Sequence, residues 1–162
     1  MTGYEDLQDS KYTQLTLLAD CNTAVAAVNA TTAVTSAAST RSGSYFDPSH
    51  SGEGIIVQVL TNGVVVGMWF TYDKSGRQMW MQGTGTIDGN TITIDNLSTT
   101  AGTIWGAGFD SNDTTTLPWG SLTMVFNGCG EVAVNYVSTA GFGSGTLNMI
   151  RVTNLMGLNC TE

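Results

Sequence analysis

The spacing of apolar positions changes near residue 45. Before it, Leu15 and Leu18, then Cys21, Val25 and Val28 recur every three or four residues, tracing one apolar stripe on a helix over residues 5–30. Asp6, Asp9 and Asp20 fall away from the stripe. Glu5 and Asp6 lie in the first turn, where negative side chains suit the positive end of the helix dipole. Such a stripe needs a partner surface, because an isolated helix of this length is marginal in water. The stretch "NATTAVTSAASTRSGS" that follows is small, polar and β-branched without a period, and reads as a connecting segment up to residue 44.

From Tyr45 onward apolar and polar residues alternate between closely spaced turn signals, which is the pattern of antiparallel β-structure. "EGIIVQVL" and "VVVGMWFTY" flank "TNG", a hairpin signal because Asn-Gly tolerates positive φ. "DKSG" turns the chain into "RQMWMQGTGTI", and "DGN" turns it into "TITIDNLSTTAGTIW". After a longer loop, "GAGFDSNDTTTLP", the strands resume as "WGSLTMVF", "EVAVNYV" and "GTLNMIRVTNL", joined by "NGCG" and "STAGFGSG". About seven or eight consecutive strands must curl, close or be covered. The expected fold is therefore α+β, an N-terminal amphipathic helix packed on a mainly antiparallel meander sheet, with a closed up-and-down barrel as the alternative. The expected organisation is one domain: helix to residue 30, connection 31–44, β region 45–155 and tail 156–162.

Composition narrows the function. Hydrophobic residues at 41% can fill a core, which excludes a disordered chain. The formal charge of −8, with Lys11, Arg41, Lys74, Arg77 and Arg151 scattered, disfavours nucleic acid and anionic membrane surfaces. No apolar run approaches the roughly 20 residues that span a bilayer. No signal peptide opens the sequence, so export would require a leader already removed or replaced by Met1. Cys21, Cys129 and Cys160 are too far apart for a compact zinc site. Cys129 follows a strand and Cys160 lies in the tail, so a bond between them would pin the C-terminus to the sheet and imply an oxidising compartment. A Cys21–Cys160 bond and three free thiols are the competing readings.

The richest chemical stretch is "FDPSHSGEGI", which brings Asp47, Ser49, His50, Ser51 and Glu53 together around the only histidine of the chain. A Ser-His-Asp triad needs its three side chains to converge, whereas neighbours in an extended segment point to opposite faces. The stretch reads instead as a structural corner. Pro48 pre-sets a turn, Asp47 accepts backbone N–H groups beside Ser51, and Gly52 and Gly54 permit bends or close approach. Glu53 with Asp73, Asp88 or Asp95 could in principle form a two-carboxylate glycosidase pair, but solvated turn acids are the plainer reading. Asp110, Asn112 and Asp113 put oxygen ligands for calcium in one loop, but it lacks the length, central glycine and terminal glutamate of an EF-hand, and a plain capped loop is the favoured reading. Trp69, Tyr72 and Trp80, with Trp105 and Trp119, could form a sugar-stacking platform if exposed, or else fill the core. Alternation sets Trp69 on one face with Val65 and Gly67, where the glycine would let the ring lie flat, and Phe70 and Tyr72 on the other. Glycine clusters precede strands rather than a helix N-terminus, so no nucleotide site and no cofactor is expected.

"GSYFDPSHSGEGIIVQVL", "WFTYDKSGRQMW", "PWGSLTMVF" and "GFGSGTLNMIRVTNLMGLNC" occur in this order and together resemble a β-module of secreted bacterial proteins. That module carries Asp-Pro-x-x-Ser-Gly-x-Gly, then Trp-Phe-Thr-Tyr-Asp-x-x-Gly-x-x-x-Trp, and the resemblance covers residues 43–160. It implies secretion and brings no activity, cofactor or catalytic residue; His50 falls on one of its unspecified positions. "GYEDLQDSKYTQLTLLADCNTAVAAV" is similar to the exposed half of a type IV pilin N-terminal helix. This second resemblance implies a filament subunit, a helix laid on an antiparallel sheet and a disulfide near the C-terminus.

The leading expectation is thus a non-enzymatic structural or adhesive subunit, pilin-like and extracellular or at the cell surface, with the periplasm as the alternative. Its partners would be other filament subunits through the N-terminal helix, or surface glycans. A secreted module binding a glycan or small ligand through Trp69, Tyr72 and Trp80 is the second reading, and a hydrolase the third.

Overall fold

The computed structural model describes residues 37–160. Eight strands follow one another: β1 (Gly43–Phe46), β2 (Gly54–Val59), β3 (Val64–Tyr72), β4 (Gln78–Asp88), β5 (Thr91–Ala101), β6 (Thr115–Asn127), β7 (Glu131–Ser138) and β8 (Ser144–Arg151). Each pairs antiparallel with the next, and β8 returns to β1 through Tyr45↔Arg151 and Phe46↔Ile150, closing an up-and-down barrel. This corrects the expected helix on an open sheet in favour of the alternative, closure. The inner face is covered by the opposite wall of the same sheet. The helix expected over residues 5–30, with Cys21, lies outside the described residues. Among the described residues no helix is long and apolar enough to cross a membrane.

Alternation decides which side chains enter. On β3, Val65, Gly67 and Trp69 face inward and Val64, Val66, Met68, Phe70 and Tyr72 outward. Val57, Val65, Met81, Ile92, Ile94, Met124 and Val134, drawn from β2 to β7, are wholly sealed from solvent. Eight strands enclose a space that side chains can fill, and these fill the middle of it.

The β4–β5 ladder carries an irregular corner. Gly67 pairs with Gly83, and these two with Gly85 leave a bare strip that the Ile94 side chain occupies. A Cβ at Gly67 would lie 2.4 Å from Ile94 Cδ1, and one at Gly83 2.7 Å from Ile94 Cγ2. Gly67 therefore makes room for Ile94 rather than for the Trp69 ring, as the sequence had suggested. The β4–β5 register shifts between Gln82 and Thr86, and the β5–β6 register around Ile94 to Ser98. Such irregularities bend strands and increase twist. Asn96 Oδ1 accepts a hydrogen bond from Thr84 N at 3.0 Å, taking up a backbone donor within the shifted stretch.

The connections alternate between two poles. The β2–β3, β4–β5 and β6–β7 turns lie at one, which is capped. There the Arg41 guanidinium sits 4.9 Å from the Phe126 ring centroid and donates to Asn90 Oδ1 and the Gly128 carbonyl. Tyr45 donates its hydroxyl proton to the Arg41 carbonyl at 2.7 Å and accepts from Arg151 at 2.6 Å. Burial outweighs these two arginines and pushes the Tyr45 phenol above its ordinary pKa. Cys129, in the β6–β7 turn, is bonded to Cys160, so the tail is pinned to the sheet by the expected pair. The β1–β2, β3–β4, β5–β6 and β7–β8 connections gather at the other pole, which is open.

Candidate functional site

The β1–β2 corner shapes one side of the open pole. Asp47 and His50 close a turn through His50 N to Asp47 O, 2.9 Å, with Pro48 at its second position, where proline's fixed φ fits. The Asp47 side chain is buried and fully engaged. Oδ1 accepts from Ser49 N at 2.8 Å and Ser49 Oγ at 2.6 Å, and Oδ2 accepts from Asn148 N on β8 at 3.1 Å. The Ser49 hydroxyl, then its backbone N–H, hold this carboxyl down at a pKa of about 2 against burial, with Asn148 and His50 adding to them. His50 Nδ1 lies 3.1 Å from Ser49 Oγ and 3.4 Å from Asp47 Oδ2. A catalytic triad needs hydroxyl and carboxylate on different ring nitrogens. Here both meet Nδ1, and the serine hydroxyl donates to the aspartate, so the cluster fastens the corner to β8. Ser51 and Gly52 are exposed in the turn, and a Cβ at Gly54 would lie 2.9 Å from the Tyr45 carbonyl across the β1–β2 ladder.

This corner yields a pH prediction. A carboxyl whose pKa is lower folded than unfolded stabilises the fold above its unfolded value, near 3.8, and the contribution disappears as pH falls towards 2. Thermal unfolding of the wild type is expected to weaken between pH 4 and pH 2 more steeply than that of Asp47→Asn, whose side chain does not titrate. Parallel slopes for the two proteins in that window would remove Asp47 from the account.

Inside the open pole lies a cavity of about 270 Å³. Trp69 from β3, Trp119 from β6, Tyr136 from β7 and Phe142 from the β7–β8 turn form its aromatic wall, with Met79 and Leu147 between them. Trp69 meets Trp119 at 5.2 Å and Tyr136 at 5.3 Å in edge-to-face contacts, and Trp119 lies 5.8 Å from Phe142. His50, Glu53, Thr71 and Tyr72 supply its polar margin, where Thr71 Oγ1 donates to Glu53 Oε2 at 2.6 Å. Lys74 reaches from the β3–β4 turn to the Gly141 carbonyl and stands 5.3 Å from the Phe142 ring centroid, tying two rim turns together. Trp69 and Trp119 are only 4% and 3% exposed, and the Nε1 of each is buried with no acceptor. Buried indole N–H groups ordinarily find a partner, so two adjacent ones without acceptors mark this wall as unsatisfied.

The rings weighed in the sequence as a platform or as core are divided by the barrel wall, with Trp69 and Trp119 in the core cluster. Trp69 faces the cavity, whereas Trp80 and Tyr72 stand on the outer surface beside Phe70, all three nearly half exposed. Tyr72 touches both sides from the rim. Trp105 is 97% exposed in the β5–β6 connection. In that connection Asp110 caps a 3₁₀ turn, Ser111–Asp113, accepting from both the backbone N and the carboxamide of Asn112 at 2.8 and 2.9 Å. The Asn112 side chain thus turns its donor, not its oxygen, towards Asp110. Among the described residues no cluster of three or more His, Cys, Asp or Glu is arranged to hold a metal.

The candidate carboxylates are dispersed. Glu53 borders the cavity. Asp73 closes the β3–β4 turn by accepting from Ser75 N, Arg77 N and the Arg77 guanidinium, and the Arg77 backbone bond leads in lowering its pKa. Asp88 ends β4 at the capped pole, and Asp95 is exposed on β5. Tyr136 and Phe142 were not singled out in the sequence. Tyr136 shares the inward phase of Val132 and Val134, and Phe142 is a lone ring in a glycine-rich turn; both signals were present. Comparison with family models, curated proteins and solved structures found no match for this chain.

Proposed function

We propose that this chain is a non-catalytic binding module that receives one neutral sugar ring at the open pole of its barrel. The observation that carries the reading is the aromatic cavity with the Thr71–Glu53 hydrogen bond at its margin. Its volume falls near the lower end of ligand pockets, which suits a single small ring rather than an extended cofactor. Aromatic faces suit the C–H faces of a pyranose. The carboxylate and hydroxyl of Glu53 and Thr71 suit its hydroxyls, which both donate and accept. The net charge of −8 disfavours an anionic ligand. The Cys129–Cys160 bond supports an oxidising, extracellular or periplasmic setting. The filament-subunit reading rests on the helix expected over residues 5–30, which lie outside the described residues; the disulfide near the C-terminus fits it without distinguishing it from the sugar reading.

Titration of the protein with a panel of neutral monosaccharides and methyl glycosides is expected to give a saturable change in tryptophan emission from at least one of them. Calorimetry on Glu53→Gln, which keeps the shape of the side chain but removes the charge of its acceptor, should show about threefold to tenfold weaker binding of that sugar. A panel without any effect on emission or heat would overturn the proposal.

A further inference from the structure

We infer that the binding surface continues from the mouth over the rim and down the outside of β3–β5, forming a track for a neutral oligosaccharide. This extends the sugar reading of the mouth and takes that reading as its starting point. Thr71, Tyr72 and Met79 border both the mouth cavity and an outer cleft of about 350 Å³, so the two hollows share a stretch of wall at the rim. The cleft is walled by Phe70, Tyr72, Gln78 and Trp80, which the ladder sets side by side as Phe70↔Trp80 and Tyr72↔Gln78. The three rings are 44%, 45% and 42% exposed, an outward aromatic group on one patch rather than scattered singly. Gly52 keeps the rim low beside it, since a Cβ there would lie 3.3 Å from the Tyr72 hydroxyl.

Further along the same face a third hollow of about 290 Å³ is bordered by Val66, Gln82, Thr84, Asn96 and Ser98. Outward side chains on one strand are spaced about 7 Å apart, so Gln78, Trp80, Gln82 and Thr84 mark a path of about 20 Å along β4. Neither outer hollow is bordered by a charged side chain. Rings followed by amides and hydroxyls, without ions, fit a neutral polyhydroxylated chain. A polyanion would meet the net charge of −8 with no basic residue on the path.

The test is calorimetric titration with cello-, malto- and chito-oligosaccharides of one to six units. In the series whose monomer binds, affinity should rise about tenfold or more over the first few units and then level off. Trp80→Ala should abolish that rise while leaving the monomer's affinity at the wild-type value; Trp80 is on the outer surface, and unchanged circular dichroism would confirm folding. Trp105→Ala, off the track, should change neither. A monomer that binds with no gain on lengthening, or a gain that survives Trp80→Ala, would overturn the track and leave the mouth reading intact. Long chains that bind through Trp80 while the monomer never binds would overturn the mouth and keep the outer face. Silence from every series would overturn both.

Discussion

Gly85→Ala is expected to destabilise the barrel by about 3 kcal/mol or more, an unusually large effect for one added methyl group. The cause is that the neighbour is backbone. A Cβ built at Gly85 would lie 1.9 Å from the Thr93 carbonyl oxygen and 2.8 Å from Ile94 Cγ1, in the stretch where β4 and β5 lose their regular register. A flexible side-chain tip could step aside; a carbonyl in a ladder can move only with its strand. The strain would fall on the β4–β5 ladder where its register shifts. Gly130→Ala is the matched control, since nothing lies within 4 Å of a Cβ there and its φ is not positive. Urea unfolding followed by far-ultraviolet dichroism and by the emission of the buried tryptophans would compare the two. Equal midpoints for Gly85→Ala and the wild type would show that stability does not depend on this corner.

Loss of the Cys129–Cys160 bond is expected to cost about 3–4 kcal/mol, from the entropy of freeing a loop between residues 31 apart in sequence. The loop contains β7 and β8, the strands that complete the ring, so the effect should reach the whole barrel rather than the tail alone. The tail offers little burial in compensation, as Leu155 and Met156 are exposed. For a domain of this size the cost corresponds to a fall in melting temperature of about 10 °C. Cys129→Ser with Cys160→Ser, compared by calorimetry with the wild type, would measure it. A change of less than about 1 kcal/mol would show that the bond is incidental to the fold. Sugar affinity, measured well below the melting range, should stay unchanged, because the bond and the mouth lie at opposite poles.

The hairpin of β2 and β3 was legible because Asn62 and Gly63 punctuate two alternating runs. The bounds of β3 and β7 follow the apolar pattern closely. Closure was harder to read. β1 has four residues, "GSYF", too few to show a period, yet it is the strand that joins both ends of the sheet. The strip that Ile94 fills is made by Gly67, Gly83 and Gly85, which look in sequence like any glycines of a β protein. The site was divided for a related reason. Both faces of β3 are apolar, so alternation separated Trp69 from Phe70 and Tyr72 without revealing which side was inside. The platform therefore grouped residues that the wall holds apart. The cavity itself gathers side chains from β3, β4, β6, β7 and β8, and such convergence exists only once the ring has closed.

Both strand ends of the barrel leave from one place. Residues 39–42 enter at the pole where Arg41 sits, and the segment after Arg151 returns there, held by Val152 N to the Ser44 carbonyl and by Cys160. A bead or chip coupled near Cys160 would consequently hold the molecule by its base with the opening turned to the medium, whereas coupling through Lys74 would press the opening against the support.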